Sequence, residues 1–354
     1  GHEVTIYKCV KKTGGESIER VKLGNTLSIL YIPVSSFGAH GCLDTAVLST
    51  NLDAVLCFAD NQIFLPHIYR FCARHEIRMV PYIGRTHSSS GGVHGFAMNT
   101  LFHLGTLRWF RRGPAISKIE EVRQELLQLG VKDVKVAPVG LDFSVMKSDF
   151  EAYDRAALRR EFGLLPEDMV ICTVGRMGPE KNPLDLVEIY QQVREQKPCK
   201  LLLVGEGTQS EDLKTKIAAS KWKSDIVLID RIPNDQIWKV YATADYFVNL
   251  CRTEIFGMAI LEAMYYGVSV AALAAPGPSV TLRDMPGHKL CSSYEEIRDW
   301  LLAEHPAQEQ LRESAARTVQ LYNWKPCADI FLSMAVGGTN EHPGHHNILS
   351  SSRA

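Results

Sequence analysis

No run of about 18 apolar residues, the length a helix needs to cross a bilayer, occurs in the chain. That excludes a helical membrane span within these residues. Neither sign of charge is in surplus, because 39 Lys and Arg face 40 Asp and Glu, a formal net charge of -1. The basic stripe of a dedicated nucleic-acid binder is therefore missing, and no nucleic-acid partner is expected. Nine cysteines are present, yet none form a C-x-x-C pair or a Cys/His cluster at metal-ligand spacing. This points away from a zinc or disulfide centre and toward reduced, mostly buried thiols in a cytoplasmic protein. The first residues, GHEVTIYKCV, lack the character of a signal peptide and enter strand-like alternation at once. What remains is 354 residues with 45% hydrophobic and 22% charged content, enough for two domains with separate cores.

Short apolar runs alternate with helical stretches along nearly the whole length. LSILYIPV (27–34), DAVLCFA (53–59) and RMVPYIG (78–84) read as strands, and residues 64–76 and 116–130 as helices, the second capped by Gly130. A second set follows a polar stretch at 144–168. Strands are expected at 168–176, 199–207, 224–230, 245–250 and 268–274. Helices are expected at 182–196, opened by an Asn cap and a proline, and at 210–221, 235–244 and 256–267. Strands alternating with helices imply βαβ units and parallel sheets. Two such sets give an α/β protein of two Rossmann-like, doubly wound domains, 1–148 and 149–325. The C-terminal part is helical with a break at Pro326, and a helix over about 326–336 completes the first domain. Residues 337–354 read as a disordered tail, whose His345 and His346 are expected to be solvated rather than metal-bound.

In an open parallel sheet, ligands bind where strands end and helices begin. Four junctions of the second set carry suitable residues. VGRMGPEKNP places Arg176 and Lys181 around a glycine-containing loop, and two cations with loop amides suit a pyrophosphate. An ordinary solvated loop has the same composition. VGEG, at Gly205 to Gly207, allows close backbone approach, although glycine turns after strands are common. At Arg231 and Ile232 the backbone is placed to read the edge of a nucleobase, but no residue type there demands it. In NLCRTEIFGMAILEAMYYG, Phe256, Gly257 and Met258 are expected to form a first helical turn whose free amides face an anion. Glu254 precedes that turn. Glu262 follows within an apolar helix, where a carboxylate needs partners, and two sugar hydroxyls would supply them.

In order, GRMGPEKNP, VGEG, IPNDQIWKVYATAD and EIFGMAILE resemble the motifs of the retaining family 4 glycosyltransferases of the GT-B fold, over residues 175–262. The resemblance implies two domains facing a cleft and a nucleotide diphosphate sugar, with UDP-sugar favoured, as donor. It assigns Arg176 and Lys181 to the diphosphate, Glu254 to the transferred sugar, Glu262 to the ribose and the 231–232 region to the base. MVPYIGRTHSSSGG resembles the segment that faces the transferred sugar, which nominates His87 beside Glu254 as catalytic. The implied acceptor is a hydroxyl of a glycan, lipid-linked or small molecule, as in cell-envelope polysaccharide biosynthesis. No metal and no cofactor beyond the donor are expected, consistent with the lack of a D-x-D pair at these junctions.

Two departures stand out. Family members begin with a strand and a glycine-rich loop that GHEV usually follows, so the N-terminal domain is expected to lack its first strand. The segment AAPGPSVTLRDMPGHKLCSS also differs from the usual glycine-pair turn. The competing expectation is therefore a non-catalytic nucleotide-sugar-binding or scaffold homologue. A nucleotide-sugar epimerase shares the architecture but does not match EIFGMAILE. Finally, Arg108, Trp109, Phe110, Arg111 and Arg112 form a basic-aromatic run that admits peripheral contact with the inner face of a membrane, though an ordinary solvated loop is the favoured reading.

Overall fold

The computed structural model describes residues 2–12, 17–37, 40–58, 64–88, 92–143, 146, 153–303 and 305–336. The expected tail, with His345 and His346, and most of the segment before Tyr153 lie outside the described residues. The chain divides into two units. The first holds Gly1–Ile116, Glu125–Lys135 and the residues from Ala328 on, and the second holds Ser117–Gln124 and Val136–Cys327.

Among the described residues, the strands of the first unit form two sheets. β1 (Val4–Lys11), β2 (Glu19–Lys22), β3 (Leu27–Phe37) and β4 (His40–Cys42) form one of them. In it β3 lies between β1 and β2, and β1 runs parallel to β3 while β2 and β4 run antiparallel. The other has the order β5 (Ala54–Cys57), β6 (Arg78–Ile83), β7 (Ala115–Ser117) and β8 (Val134–Val136). β1 and β5 thus each end a sheet. Val4 and Ile6 of β1 are exposed, and all four residues of β5 are only half-buried. β6 is buried from Met79 onward, as its unbroken apolar run requires between neighbouring strands.

The helix expected over 116–130 is shorter, because Ile116 and Ser117 belong to β7 and the helix runs Glu120–Gln128. Ile116 is β-branched and fully buried, so burial in the sheet outweighs the helical spacing. Gly130 ends the helix at φ 86°, with Val131 N–H donating to Leu126 C=O. The membrane expectation needs correction at its aromatic members. Phe110 is buried, and Trp109 stacks on Tyr69 with ring centroids 5.7 Å apart, the Arg112 guanidinium lying over its ring. Both rings pack inward because the run ends a helical stretch whose apolar side covers the core. Among the described residues, no helix is long and apolar enough to cross a membrane.

The second unit is a single parallel sheet of six strands: β9 (Val170–Val174), β10 (Lys200–Val204), β11 (Ile226–Ile229), β12 (Tyr246–Asn249), β13 (Ser269–Leu273) and β14 (Lys289–Cys291). The order across the sheet is β11-β10-β9-β12-β13-β14. Counted within the unit this is 3-2-1-4-5-6, the doubly wound arrangement, and its direction reverses between β9 and β12. Ile171, Leu201, Leu203, Val248 and Ala271 pack there against helices Pro183–Arg194 and Tyr294–Leu302.

Part of the polar stretch 144–168 is helical. Asp154 caps a helix, Arg155–Glu161, by accepting from Ala157 N–H. Arg159 on that helix is buried and donates to Asp245 Oδ2 at 2.7 Å, while Arg155 reaches Oδ1 at 2.8 Å. Val170 N–H also donates to Asp245, so the last Asp of YATAD anchors this helix to the start of β9. The break at Pro326 likewise moves. The final helix begins at Trp324, and Pro326 sits in its first turn, where its missing N–H has no intrahelical partner to lose.

Candidate functional site

The carboxyl ends of β9 and β12, side by side at the reversal point, bring the sequence motifs together. A small pocket between them is lined by Gly175, Arg176, Lys181, Asn249, Leu250 and Ala259. Arg176 leaves β9 after Gly175 and is largely exposed, 3.2 Å from Glu180. Lys181 lies on a short turn, Pro179–Lys181, and is folded inward instead. Its Nζ donates to Glu254 Oε2 at 2.5 Å, so these two residues, 73 positions apart, form an ion pair at the pocket. Asn182 does not cap the following helix with its side chain. It adopts φ 51°, a left-handed conformation asparagine tolerates, and its Nδ2 donates to Leu250 C=O at 3.0 Å.

The glycines of VGEG serve this loop. A Cβ on Gly205 would lie 1.8 Å from Gly175 O, and one on Gly207 would lie 2.4 Å from Met177 O. Met177 N–H donates to Glu206 C=O and Gln209 N–H to Met177 C=O. The close approach that Gly205 permits is therefore to the Arg176 loop, which it supports from behind. Arg231, exposed, and Ile232, half-buried, follow β11.

Beyond β12 the helix starts at Met258, not at Phe256. Gly257 precedes it at φ 84°, and a Cβ there would press on Ile260 at 2.8 Å. Phe256 is buried edge-on against Tyr322 with centroids 5.8 Å apart, so its ring holds the turn. The Met258 and Ala259 amides open the helix, whereas Ile260 and Leu261 already bond Gly257 C=O. Gly277 N–H donates to Glu254 C=O at 2.8 Å.

Glu262 occupies the next turns of this helix and is half-buried. The Tyr241 hydroxyl donates to its Oε2 at 2.5 Å. Burial pushes the Glu262 carboxyl above its ordinary range, and the tyrosine hydrogen bond counters this in part. Burial also raises Tyr241, first of all, and the neighbouring carboxylate adds to the shift. Tyr241 stacks on Tyr266 at 5.9 Å and stays a neutral donor.

His87 belongs to the first unit, four residues past β6. Its ring is exposed, with Nδ1 4.0 Å from Glu125 Oε2. Thr86, not His87, is the buried member of this turn, and its hydroxyl donates to Glu125.

Two polar residues escaped the sequence reading, Asn249 and Tyr241, and Asn182 was read only as a helix cap. Asn249 was marked only by ending an otherwise apolar strand. Tyr241 sits in YATAD at a position that reads equally as core.

Comparison with known proteins bears on the fold and the family. Residues 154–317 match the family described as glycosyl transferases group 1. A D-inositol 3-phosphate glycosyltransferase of Segniliparus rotundus is 29% identical over 211 residues, covering 56% of this chain and 46% of that protein. The chain thus spans about half the length of this curated relative. Among solved structures, the sucrose-phosphate synthase of Thermosynechococcus elongatus is similar with a TM-score of 0.69 at 14% identity, over 94% of this chain and 88% of that one. The Anabaena protein HepE in complex with UDP and glucose gives 0.65 at 16% identity, over 79% and 78%. The likeness to these solved structures shows the GT-B fold, and residues 154–317 are similar to the glycosyl transferases group 1 family.

Proposed function

We propose that the chain is a retaining glycosyltransferase that moves a sugar from a nucleotide diphosphate donor, with UDP-sugar favoured, to a hydroxyl acceptor on a glycan, lipid-linked or small molecule. The observation that carries this reading is the meeting of Arg176, Lys181 and Glu254 at the reversal point of the second sheet, beside the Met258 helix start. In the reaction the C1–O bond to the diphosphate breaks and its electron pair leaves with the diphosphate. The acceptor oxygen bonds C1, and the acceptor proton passes to the departing phosphate oxygen. Arg176, Lys181 and the Met258 and Ala259 amides would carry the growing negative charge in place of a metal ion. Glu262, one oxygen already held by Tyr241, would accept from ribose hydroxyls, and the 231–232 backbone would meet the base. His87 is assigned to the transferred sugar. UDP is favoured because HepE, of similar fold, binds UDP and glucose.

The test is a thermal-shift screen with UDP-, GDP- and ADP-sugars, followed by transfer assays. Arg176→Ala and Glu262→Ala should each weaken donor binding at least tenfold, as loss of a charge-assisted contact does. Unchanged binding and turnover in both would overturn the proposal. Donor binding without transfer to any acceptor would favour the non-catalytic reading instead. Co-sedimentation with anionic vesicles tests the peripheral membrane contact through Arg108, Arg111 and Arg112, the exposed members of that run.

A further inference from the structure

Asn249 is buried at 7% exposure, the last residue of a strand with no other polar side chain besides the Tyr246 hydroxyl. A buried amide must find partners at both ends. Its Oδ1 accepts from Cys251 N–H at 2.8 Å, and its Nδ2 donates to Glu254 Oε2 at 3.3 Å. Turning the amide over would set N–H against N–H and oxygen against carboxylate, so only one orientation is compatible with both neighbours. Lys181 Nζ donates to the same Oε2.

We infer that Asn249 is a positioning residue, which together with Lys181 commits one oxygen of Glu254 and leaves the other for the hydroxyls of the transferred sugar. The inference rests on the donor-binding reading above. Glu254 Oε1 has no hydrogen bond among the described residues, although the side chain is only 18% exposed. A carboxylate so placed calls for a donor, and a sugar hydroxyl is one. The surroundings hold the Glu254 backbone in place. Gly277 N–H holds its carbonyl, and a Cβ on Gly277 would meet Phe256 N at 2.5 Å, so the short helix Pro276–Thr281 and this turn are in backbone contact. Asn182 ties the Lys181 turn to Leu250. Asn249 thus contributes a neutral donor that fixes the carboxylate without cancelling its charge, whereas Lys181 alone would leave Glu254 free to pivot about one flexible ammonium.

Asn249→Asp separates this role from packing, because it keeps the acceptor for Cys251 and replaces only the donor by an anion. Titration calorimetry of wild type and variant with UDP, UDP-glucose, GDP-mannose and ADP-glucose is the experiment. UDP itself should bind the variant more weakly, because the new carboxylate lines the pocket beside Lys181, so the quantity read is the ratio of UDP-sugar to UDP affinity. The extra affinity contributed by the sugar should fall about tenfold, the usual loss for one charge-assisted hydrogen bond. The double variant Asn249→Asp/Glu254→Gln restores an amide–carboxylate pair and should recover part of that loss. Should Asn249→Asp not fold, Asn249→Ser serves, since its hydroxyl reaches Cys251 but not Glu254, and the same selective loss is expected. Equal sugar-dependent affinity in wild type and variant overturns the inference and leaves the donor reading standing. Wild type that binds none of the four nucleotides overturns the donor reading, and the inference with it.

Discussion

His288 makes stability of the second unit depend on pH in a direction the structure dictates. Its Nδ1 accepts from Val270 N–H at 3.0 Å and its Nε2 meets Ser314 Oγ at 2.7 Å, joining β13 to the helix Gln308–Leu321. The backbone N–H requires an unprotonated Nδ1, so the ring is neutral with its proton on Nε2. Burial lowers its pKa from 6.5 to about 3. The sign follows directly. Between these values the unfolded chain takes up a proton that the folded protein refuses, so stability is full above pH 6.5 and falls as the pH drops below it. With a slope of about 1.4 kcal/mol per pH unit, the loss at pH 5 is on the order of 2 kcal/mol. For a unit of this size that corresponds to a melting temperature lower by roughly 4–8 °C. His288→Asn keeps an acceptor for Val270, loses the Ser314 contact and does not titrate. Urea unfolding of both proteins at pH 7 and pH 5 isolates the effect, since other groups cancel in the difference. The advantage of wild type over His288→Asn should shrink by about 2 kcal/mol at pH 5. An advantage of equal size at the two pH values would refute the reasoning.

Three further outcomes are expected. Gly205→Ala forces a Cβ to 1.8 Å from Gly175 O at φ 138°, so it should destabilise by about 3 kcal/mol or more and weaken nucleotide binding, read by calorimetry and melting. Glu262→Gln removes a carboxylate whose folded pKa is raised by burial. Such a group opposes folding once the pH exceeds its unfolded value of 4.5, so the ligand-free variant should melt no lower than wild type at pH 7 while nucleotide affinity drops about tenfold. Asp245→Ala strands the buried Arg159 guanidinium, costing about 3–5 kcal/mol in denaturant unfolding, with no specific change in the ratio of sugar to nucleotide affinity.

Much of the site was legible because its motifs carry backbone requirements or charge at fixed spacing. Arg176, Lys181, Glu254 and Glu262 were named from their loops, and the buried setting of Glu262 from the apolar run around it. The relations among them were not legible. No local pattern says that Lys181 turns to Glu254 while Arg176 stays in solvent, or that Tyr241 bonds Glu262. Gly205 read as a ligand-facing glycine, since sequence shows that a backbone comes close but not which one. Phe110 was misjudged, and the helix 155–161 passed over, for a related reason. Charge and aromatic content describe a segment by itself, whereas burial depends on what folds against it, as Tyr69 does for Trp109 and Asp245 for Arg159.

By itself, the sequence determined the alternation of strands and helices, hence parallel sheets, and the residue types available at each strand end. Those are local consequences of hydrophobic period and turn chemistry, which a linear string records. The tertiary structure alone decided that β9 and β12 are neighbours at the reversal of the sheet, and so that Lys181 and Asn249 share one oxygen of Glu254. Hydrogen bonds act over about 3 Å, and residues dozens of positions apart come within that range only once the sheet has ordered its strands.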